Sequence, residues 1–222
     1  TLSVTDQAGN TNSSTATVTV IDSTAPTAVC QNLTIYLDGS GNASIVAADI
    51  DNGSSDNCTL SSLSLDNTSF TCADEGANTV ILTATDQTGN SSTCSATVTV
   101  VDSTAPTAVC QDLTVYLDGA GNASITAADV DNGSTDNCTV ATLSLDQTSF
   151  TCADEGANTV SLTVTDQTGN FSSCTATITV VDTTSPVAVS QNINVYLDGN
   201  GAASISGSDV DGGSSDNCTV TN

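Results

Sequence analysis

The chain repeats itself every 80 residues, and that period constrains everything else about its fold. Cys30, Cys110 and Ser190 stand 80 apart, as do Asp22-Ser23-Thr24, Asp102-Ser103-Thr104 and Asp182-Thr183-Thr184. Residues 23–102 and 103–182 differ at 16 of 80 positions, mostly by Ile/Val, Ser/Thr or Asn/Asp exchange. We read 1–22 as the C-terminal strands of a preceding repeat, 23–102 and 103–182 as complete repeats, and 183–222 as the N-terminal part of a following one. On this reading the sequence is a window onto a longer array, with any export signal outside it. A unit of this length suits a small domain with its own core.

Within a unit the apolar residues alternate at period two. Leu33, Ile35 and Leu37 alternate with Thr34 and Tyr36. Asp38-Gly39-Ser40-Gly41-Asn42 is a turn, and 43–50 is expected to form a second strand. Leu63 and Leu65 share a face. Val80, Leu82 and Ala84 point inward while Ile81 points out, as Ser161 at the same place in the second copy indicates. Gln87-Thr88-Gly89-Asn90 turns into Ala96, Val98 and Val100. Six strictly alternating strands would leave both termini at one pole. Opposite poles require a seventh short strand within 67–78 or a crossing connection there. No segment carries a helical period. The expected fold is all-β: tandem immunoglobulin-like β-sandwiches of about 80 residues, end to end.

Charge excludes whole classes of function. The 222 residues include 25 Asp and Glu and no Lys, Arg or His. Nucleic-acid binding lacks its basic patch, and an anionic membrane lacks a polybasic anchor. No run approaches 18 apolar residues, so direct membrane insertion is not expected. Neither a His nor a Lys base can activate a nucleophile, so no enzyme is expected, and nothing implies an organic cofactor. A net charge of −25 with 3% aromatics favours disorder, but 37% apolar residues in a regular pattern favour folding.

The cysteines form a framework that implies an oxidising, extracellular setting. Each complete repeat carries four: Cys30, Cys58, Cys72 and Cys94, then Cys110, Cys138, Cys152 and Cys174. Ser14 replaces Cys94 and Ser190 replaces Cys30 in the partial copies, so pairing of those two types across a repeat junction would orphan Cys30 and Cys174. The preferred scheme is Cys30–Cys94 with Cys58–Cys72, repeated as Cys110–Cys174 with Cys138–Cys152. The competing scheme is Cys30–Cys72 with Cys58–Cys94. Cys218 needs a partner beyond the end. The cysteines lie too far apart for paired zinc knuckles.

The acids cluster where turns are expected. Asp49, Asp51 and Asp56 recur as Asp129, Asp131 and Asp136 around an Asp-Asn-Gly turn. Such carboxylates suit calcium, although Leu60 stands where an EF loop has its bidentate acid. The alternative is a solvated Asx-rich turn. With termini at opposite poles, Asp38, Asp74, Glu75 and Asp102 approach Asp129, Asp131 and Asp166, with Asp118 the second copy of Asp38. Divalent ions there would stiffen the array. Asp22-Ser23-Thr24-Ala25-Pro26 is a short, stiff linker.

Ala-Val-Cys-Gln at 28–31, Phe-Thr-Cys-Ala-Asp-Glu-Gly-Ala-Asn at 70–78 and Thr-Ala-Thr-Asp-Gln-Thr-Gly-Asn at 83–90 resemble hyalin-repeat (HYR) domains. Tyr-Leu-Asp-Gly-x-Gly-Asn-Ala-Ser-Ile, at 36–45 and 116–125, is similar to tandem repeats of large surface proteins of Flavobacterium-like bacteria. The resemblance implies an adhesive or stalk role at the cell surface, as in type IX secreted gliding adhesins. The linker tripeptides resemble Bacteroidota O-glycan acceptors, with Ser23, Ser103 and Thr183 as the sites. The expected partners are neighbouring repeats, like chains in a filament, or surface polysaccharide. The alternative function is a carbohydrate- or ligand-binding module repeated for avidity, with Tyr36, Tyr116 and Tyr196 as a stacking platform.

Overall fold

Residues 1–220 are described by a computed structural model, which separates them into two units. The first comprises Thr1–Leu37 with Asn42–Val101; the second comprises Asp38–Gly41 with the chain from Asp102 onward. A hairpin of β1 (Leu2–Thr5) and β2 (Thr11–Ser14) opens the chain. The first sandwich follows as β3 (Leu33–Tyr36), β4 (Asn42–Ser44), the helical turn α1 (Ala47–Ile50), β5 (Leu60–Leu65), β6 (Ser69–Thr71), a 3-10 turn Cys72–Asp74, β7 (Gly76–Asp86) and β8 (Ser91–Val101). The second sandwich repeats the order as β9 (Leu113–Tyr116), β10 (Asn122–Ser124), α2 (Ala127–Val130), β11 (Val140–Leu145), β12 (Ser149–Thr151), a 3-10 turn Cys152–Asp154, β13 (Gly156–Asp166) and β14 (Phe171–Val181). A last helical turn, α3 (Gly207–Val210), stands where α1 and α2 stand.

Each sandwich faces a four-stranded sheet, ordered β3-β8-β7-β5 or β9-β14-β13-β11, with a two-stranded one, β4-β6 or β10-β12. First and last strands pair in parallel, Leu33 opposite Val98 and Leu113 opposite Ile178, while every other pair is antiparallel. Residues 33–101 form six strands, β6 among them. β5 ends opposite Leu82 and β7 begins at Gly76, so β6 carries the chain onward in the sense of β5 instead of reversing it, and β3 and β8 run the same way. This is the immunoglobulin-like arrangement the alternation implied.

The core follows from the pleat. Val80, Leu82 and Ala84 of β7 are fully buried, as are Val98 of β8 and Ile50, while Phe70 is 1% exposed. Ile81 faces outward at 38%. Phe70 and Phe150 are the largest buried side chains of their sandwiches. The bridges Cys30–Cys94 and Cys110–Cys174 each span 64 positions and tie the opening segment of a sandwich to its last strand. Closing a loop of this size stabilises by about 4 kcal/mol in the chain-entropy picture.

Two expectations are corrected. Residues 43–50 are not one strand: β4 ends at Ser44 and 47–50 is a helical turn. The Asp49 carboxylate accepts the Val46 N–H at 2.8 Å and fixes that turn locally, while Ile50 fills the core from it. The pairings Cys58–Cys72 and Cys138–Cys152 do not form. Cys58 is a free, exposed thiol, Cys152 is bonded to Cys218 across 66 positions, and Cys72 and Cys138 are also disulfide-bonded. The reason lies in the strands beside Asp66 and Asp146. β5 pairs with β7 but β6 pairs with β4, so these strands enter different sheets instead of closing a hairpin. β5 runs from the level of Asp86 to that of Leu82, and β7 starts at Gly76, about 20 Å further along, so the three-residue strand between them moves onward instead of back. The chain therefore does not bring the later cysteine back to the earlier one. A bridge does join one repeat to the next, through a pair of cysteine types that the serine gaps at 14 and 190 did not test.

Candidate metal centre

Three acids distant in sequence meet in the second unit. Asp102 opens the linker before the sandwich, Asp136 lies in the loop between α2 and β11, and Asp166 ends β13 at its tight turn. One carboxylate oxygen from each lies within 4.8 Å of the others. Asp102 is 3% exposed and Asp166 5%.

Asp166 is held by its own turn. Its Oδ1 accepts the backbone N–H of Gly169 at 2.7 Å and of Asn170 at 2.8 Å, and its Oδ2 accepts Asn170 Nδ2 at 2.7 Å. Burial pushes this carboxyl up, but the bonds from Asn170, Gly169 and Thr168 outweigh it and hold the group below the ordinary carboxylate value. The same turn grips the linker: Thr168 Oγ1 and Asn170 Nδ2 each donate to the Asp102 carbonyl at 3.2 Å.

The other two carboxylates are each half used. Asp102 Oδ1 accepts Thr104 N–H at 3.0 Å and Asn137 Nδ2 at 3.2 Å, whereas its buried Oδ2 accepts no hydrogen bond. Asp136 Oδ2 accepts Cys138 N–H at 3.0 Å, whereas its buried Oδ1 accepts none. A buried acceptor without a donor costs about 1–3 kcal/mol, and more when charged. The chain has no Lys, Arg or His to relieve that cost. Three carboxylates and no imidazole form a hard oxygen set, which fits calcium, or magnesium, better than zinc. The residues therefore fit a hard divalent cation on grounds independent of their number.

The first unit carries a related group in which a thiol stands in place of the third carboxylate. Asp22, Asp56 and Cys58 lie within 4.8 Å of one another. Asp22 Oδ1 accepts Thr24 N–H at 3.0 Å, and the turn at Asp86 donates to the Asp22 carbonyl through Thr88 Oγ1 and Asn90 Nδ2, each at 3.1 Å. The Cys58 thiol is pushed up by its hydrogen bond to Asp22, and further by the charges of Asp22, Asp56 and Asp86.

The remaining candidate acids organise backbone. Asp49 and Asp129 cap the helical turns, Asp129 Oδ2 accepting Thr126 N–H at 2.7 Å. Asp51 and Asp131 accept the backbone N–H of Ser54 and Ser134 at 3.0 Å. Asp74 caps the 3-10 turn by accepting Thr71 N–H at 2.8 Å, and Glu75 ends that turn. Asp38 and Asp118 close their Gly-rich turns, accepting Ser40 N–H at 2.8 Å and Ala120 N–H at 2.9 Å. Sequence reasoning passed over Asn137 and Asn217, and placed Asp216 only as a further copy of the acidic cluster and Asp182 only in a linker tripeptide. Asn217 Nδ2 donates to Asp182 Oδ1 and to the Asp118 carbonyl, both at 3.1 Å. The signal was present in the tripeptide Asp-Asn-Cys, which recurs at 56–58, 136–138 and 216–218.

No protein-family model matches the chain, and no curated protein matches it. The resemblance to hyalin repeats therefore stands on the quoted motifs alone. Among solved structures, the extracellular cadherin domains 1–4 of protocadherin gamma B7 are similar at 16% identity over 77% of this chain, with a TM-score of 0.35. Human mucin-like protocadherin EC1-2 is similar at 11% identity over 71% of this chain and 98% of its own, with a TM-score of 0.38. Drosophila N-cadherin EC1-4 is similar at 12% identity over 71% of this chain and 50% of its own, with a TM-score of 0.40. The chain spans about half of the protocadherin gamma B7 structure, 54%. These are distant likenesses of tandem β-sandwiches. Among the described residues, no helix is long and apolar enough to cross a membrane.

Proposed function

We propose that this chain is a segment of an extracellular structural array, the stalk of a cell-surface adhesin, in which bound calcium orders the segments where one repeat meets the next. The observation that carries this reading is that Asp102 and Asp136, each with a buried, undonated carboxylate oxygen, meet Asp166 in a chain without a cationic side chain. Asp102 belongs to the linker and Asp136 and Asp166 to the sandwich that follows, so a cation held by all three fixes linker to domain. Near-identical copies suit reach better than they suit recognition. The domain limits 1–22, 23–102, 103–182 and 183–222, a type IX secretion route and a role in gliding remain part of this proposal, on the hyalin-repeat resemblance. Ser23, Ser103 and Thr183 are exposed, as O-glycan acceptors must be. The array's partners would be its own neighbouring repeats, like chains in a filament, or surface polysaccharide.

Calorimetric titration of the metal-stripped chain with calcium tests this reading. Saturable binding accompanied by a rise in melting temperature supports it. An unchanged melting temperature and no heat of binding at millimolar calcium sink it. A second reading, a ligand-binding module repeated for avidity, draws on the recurrence of an exposed tyrosine, 63% exposed at Tyr36 and 62% at Tyr116. Saturable glycan binding that is lost on replacing both tyrosines by Ser would favour it over the stalk.

A further inference from the structure

The tripeptide Asp-Asn-Cys joins two devices described separately above. In Asp136-Asn137-Cys138 the aspartate splits its carboxylate, giving Oδ2 to the Cys138 N–H at 3.0 Å and leaving a buried Oδ1 without a donor, in a residue of the carboxylate cage. In Asp216-Asn217-Cys218 the division is the same: Oδ2 accepts Cys218 N–H at 3.3 Å while the buried Oδ1 accepts nothing. The middle residue of that copy clamps the loop, through Nδ2 to Asp182 Oδ1 and the Asp118 carbonyl. The last residue closes a covalent bond to Cys152, whose Sγ lies 3.5 Å from the Asn217 carbonyl oxygen. The 136–138 loop thus carries a carboxylate of the cage, an amide clamp through Asn137 Nδ2 to the Asp38 carbonyl and Asp102 Oδ1, and a bridged sulfur. No flexible stem separates them.

We propose that cation binding and the disulfide of this loop form one thermodynamic unit, so that the redox state of the Asp-Asn-Cys cysteine sets the affinity of the cage. The inference rests on the cation reading above and supplies its regulation. Oxidation holds the loop in place, and the cage then binds without having to order it. Reduction breaks the S–S bond: each sulfur takes one electron and one proton from an added dithiol, which leaves as its cyclic disulfide. The loop is then tethered only by hydrogen bonds. Linkage makes the effect reciprocal, so a bound cation disfavours reduction at equilibrium by the same free energy that the bridge adds to cation binding.

The experiment measures calcium affinity of the unmodified chain, of Cys138→Ser, and of Cys110→Ser/Cys174→Ser, which removes a bridge within the sandwich and leaves the loop bridged. Cys138→Ser is expected to weaken binding by about five-fold or more, in the usual range of site-to-site coupling. The double variant is expected to melt earlier but bind calcium unchanged. Equal affinity in Cys138→Ser and the unmodified chain overturns the inference while leaving the cation reading intact. Absence of calcium binding by the unmodified chain overturns both. Should Cys138→Ser fail to fold, reduction of the unmodified chain decides: at equilibrium in a fixed dithiol and disulfide buffer, mass mapping should find more of the Cys152–Cys218 link and of the link at Cys138 surviving in calcium than in chelator. Equal survival in both overturns it.

Discussion

A methyl group added to Gly121 would place its carbon 2.6 Å from the Sγ of Cys152 and 2.8 Å from the Asn217 carbonyl oxygen. Gly121 also holds a left-handed φ of 75°. Closing the Asp118 turn and seating the Asp216–Cys218 loop both require the missing side chain. Gly121→Ala is therefore expected to destabilise by about 1–3 kcal/mol through crowding and strain. Gly119→Ala, with nothing within 4 Å, is its matched neutral control. Urea unfolding of the two variants checks this, and equal midpoints would refute it.

Removing charge from the cage should act in opposite directions with and without metal. Asp102→Asn replaces a buried, undonated anionic oxygen. In chelator the variant is expected to be at least as stable as the parent. With calcium at about a hundred times its dissociation constant the parent gains about 2.7 kcal/mol, and the variant should lose most of that gain. Paired thermal melts in calcium and chelator report both signs at once.

The sulfur pattern can be read directly. Expressed as residues 1–222, the chain should titrate one accessible thiol, Cys58, and its peptides should include a Cys152–Cys218 link. A Cys138–Cys152 peptide would contradict the fold. Because the sequence holds no Lys or Arg, the mapping needs a protease that cuts at acidic or aromatic residues.

Each sandwich depends on one aromatic side chain. Phe70 and Phe150 are 1% exposed, and truncation of either to Ala should cost about 3–5 kcal/mol. Phe171, at 68% exposure in the same chain, should tolerate the change with little effect. Differential scanning calorimetry separates the two cases.

Acid should unfold the turns in a defined direction. Hydrogen bonds from Asn122 and Ala120 hold Asp118 below the ordinary carboxylate value, and those from Thr126 do the same for Asp129. A group whose folded value is depressed contributes stability that is fully present above its unfolded value, near 3.8. That contribution is lost as pH falls through the lower, folded value. Stability in chelator is therefore expected to fall as pH drops below about 4, with a shallower fall in Asp129→Asn. A flat profile between pH 5 and 2 would count against these turns.

Much of the fold was legible because a strand's period is local. Ile81 and its replacement by Ser161 mark the outward face of one strand without reference to any other residue, and Val80 and Leu82 then have to point inward. The helical turn at 47–50 was not legible, since it rests on one carboxylate, Asp49, reaching back to Val46 across three residues in an otherwise strand-like run. The cysteine pairing failed for a topological reason. Asp66 reads as a hairpin turn, yet the strands on its two sides belong to different sheets, and nothing within 60–71 records that. The cage met a similar limit: twelve acids in turn-like contexts look alike in sequence. The selection of Asp102, Asp136 and Asp166 depends on which loops share one end of a sandwich. The repeated Asp-Asn-Cys was the one local clue.

The bridge from Cys30 to Cys94 has a consequence under load. When a sandwich is pulled through its linkers, tension entering near residue 23 reaches Cys30, crosses the sulfur bond to Cys94 and leaves through the end of β8. The 64-position loop between them is bypassed on that path, and Cys72 within it is itself disulfide-bonded, so load that enters the loop also meets a covalent link. Only the short flanking stretches can be drawn out, and the parallel contacts of β3 with β8 are sheared together instead of being unzipped one by one. A strained unit of this kind lengthens along that path by ~5 nm at most, the reach of the roughly 15 residues outside the bridge, before covalent bonds bear the force.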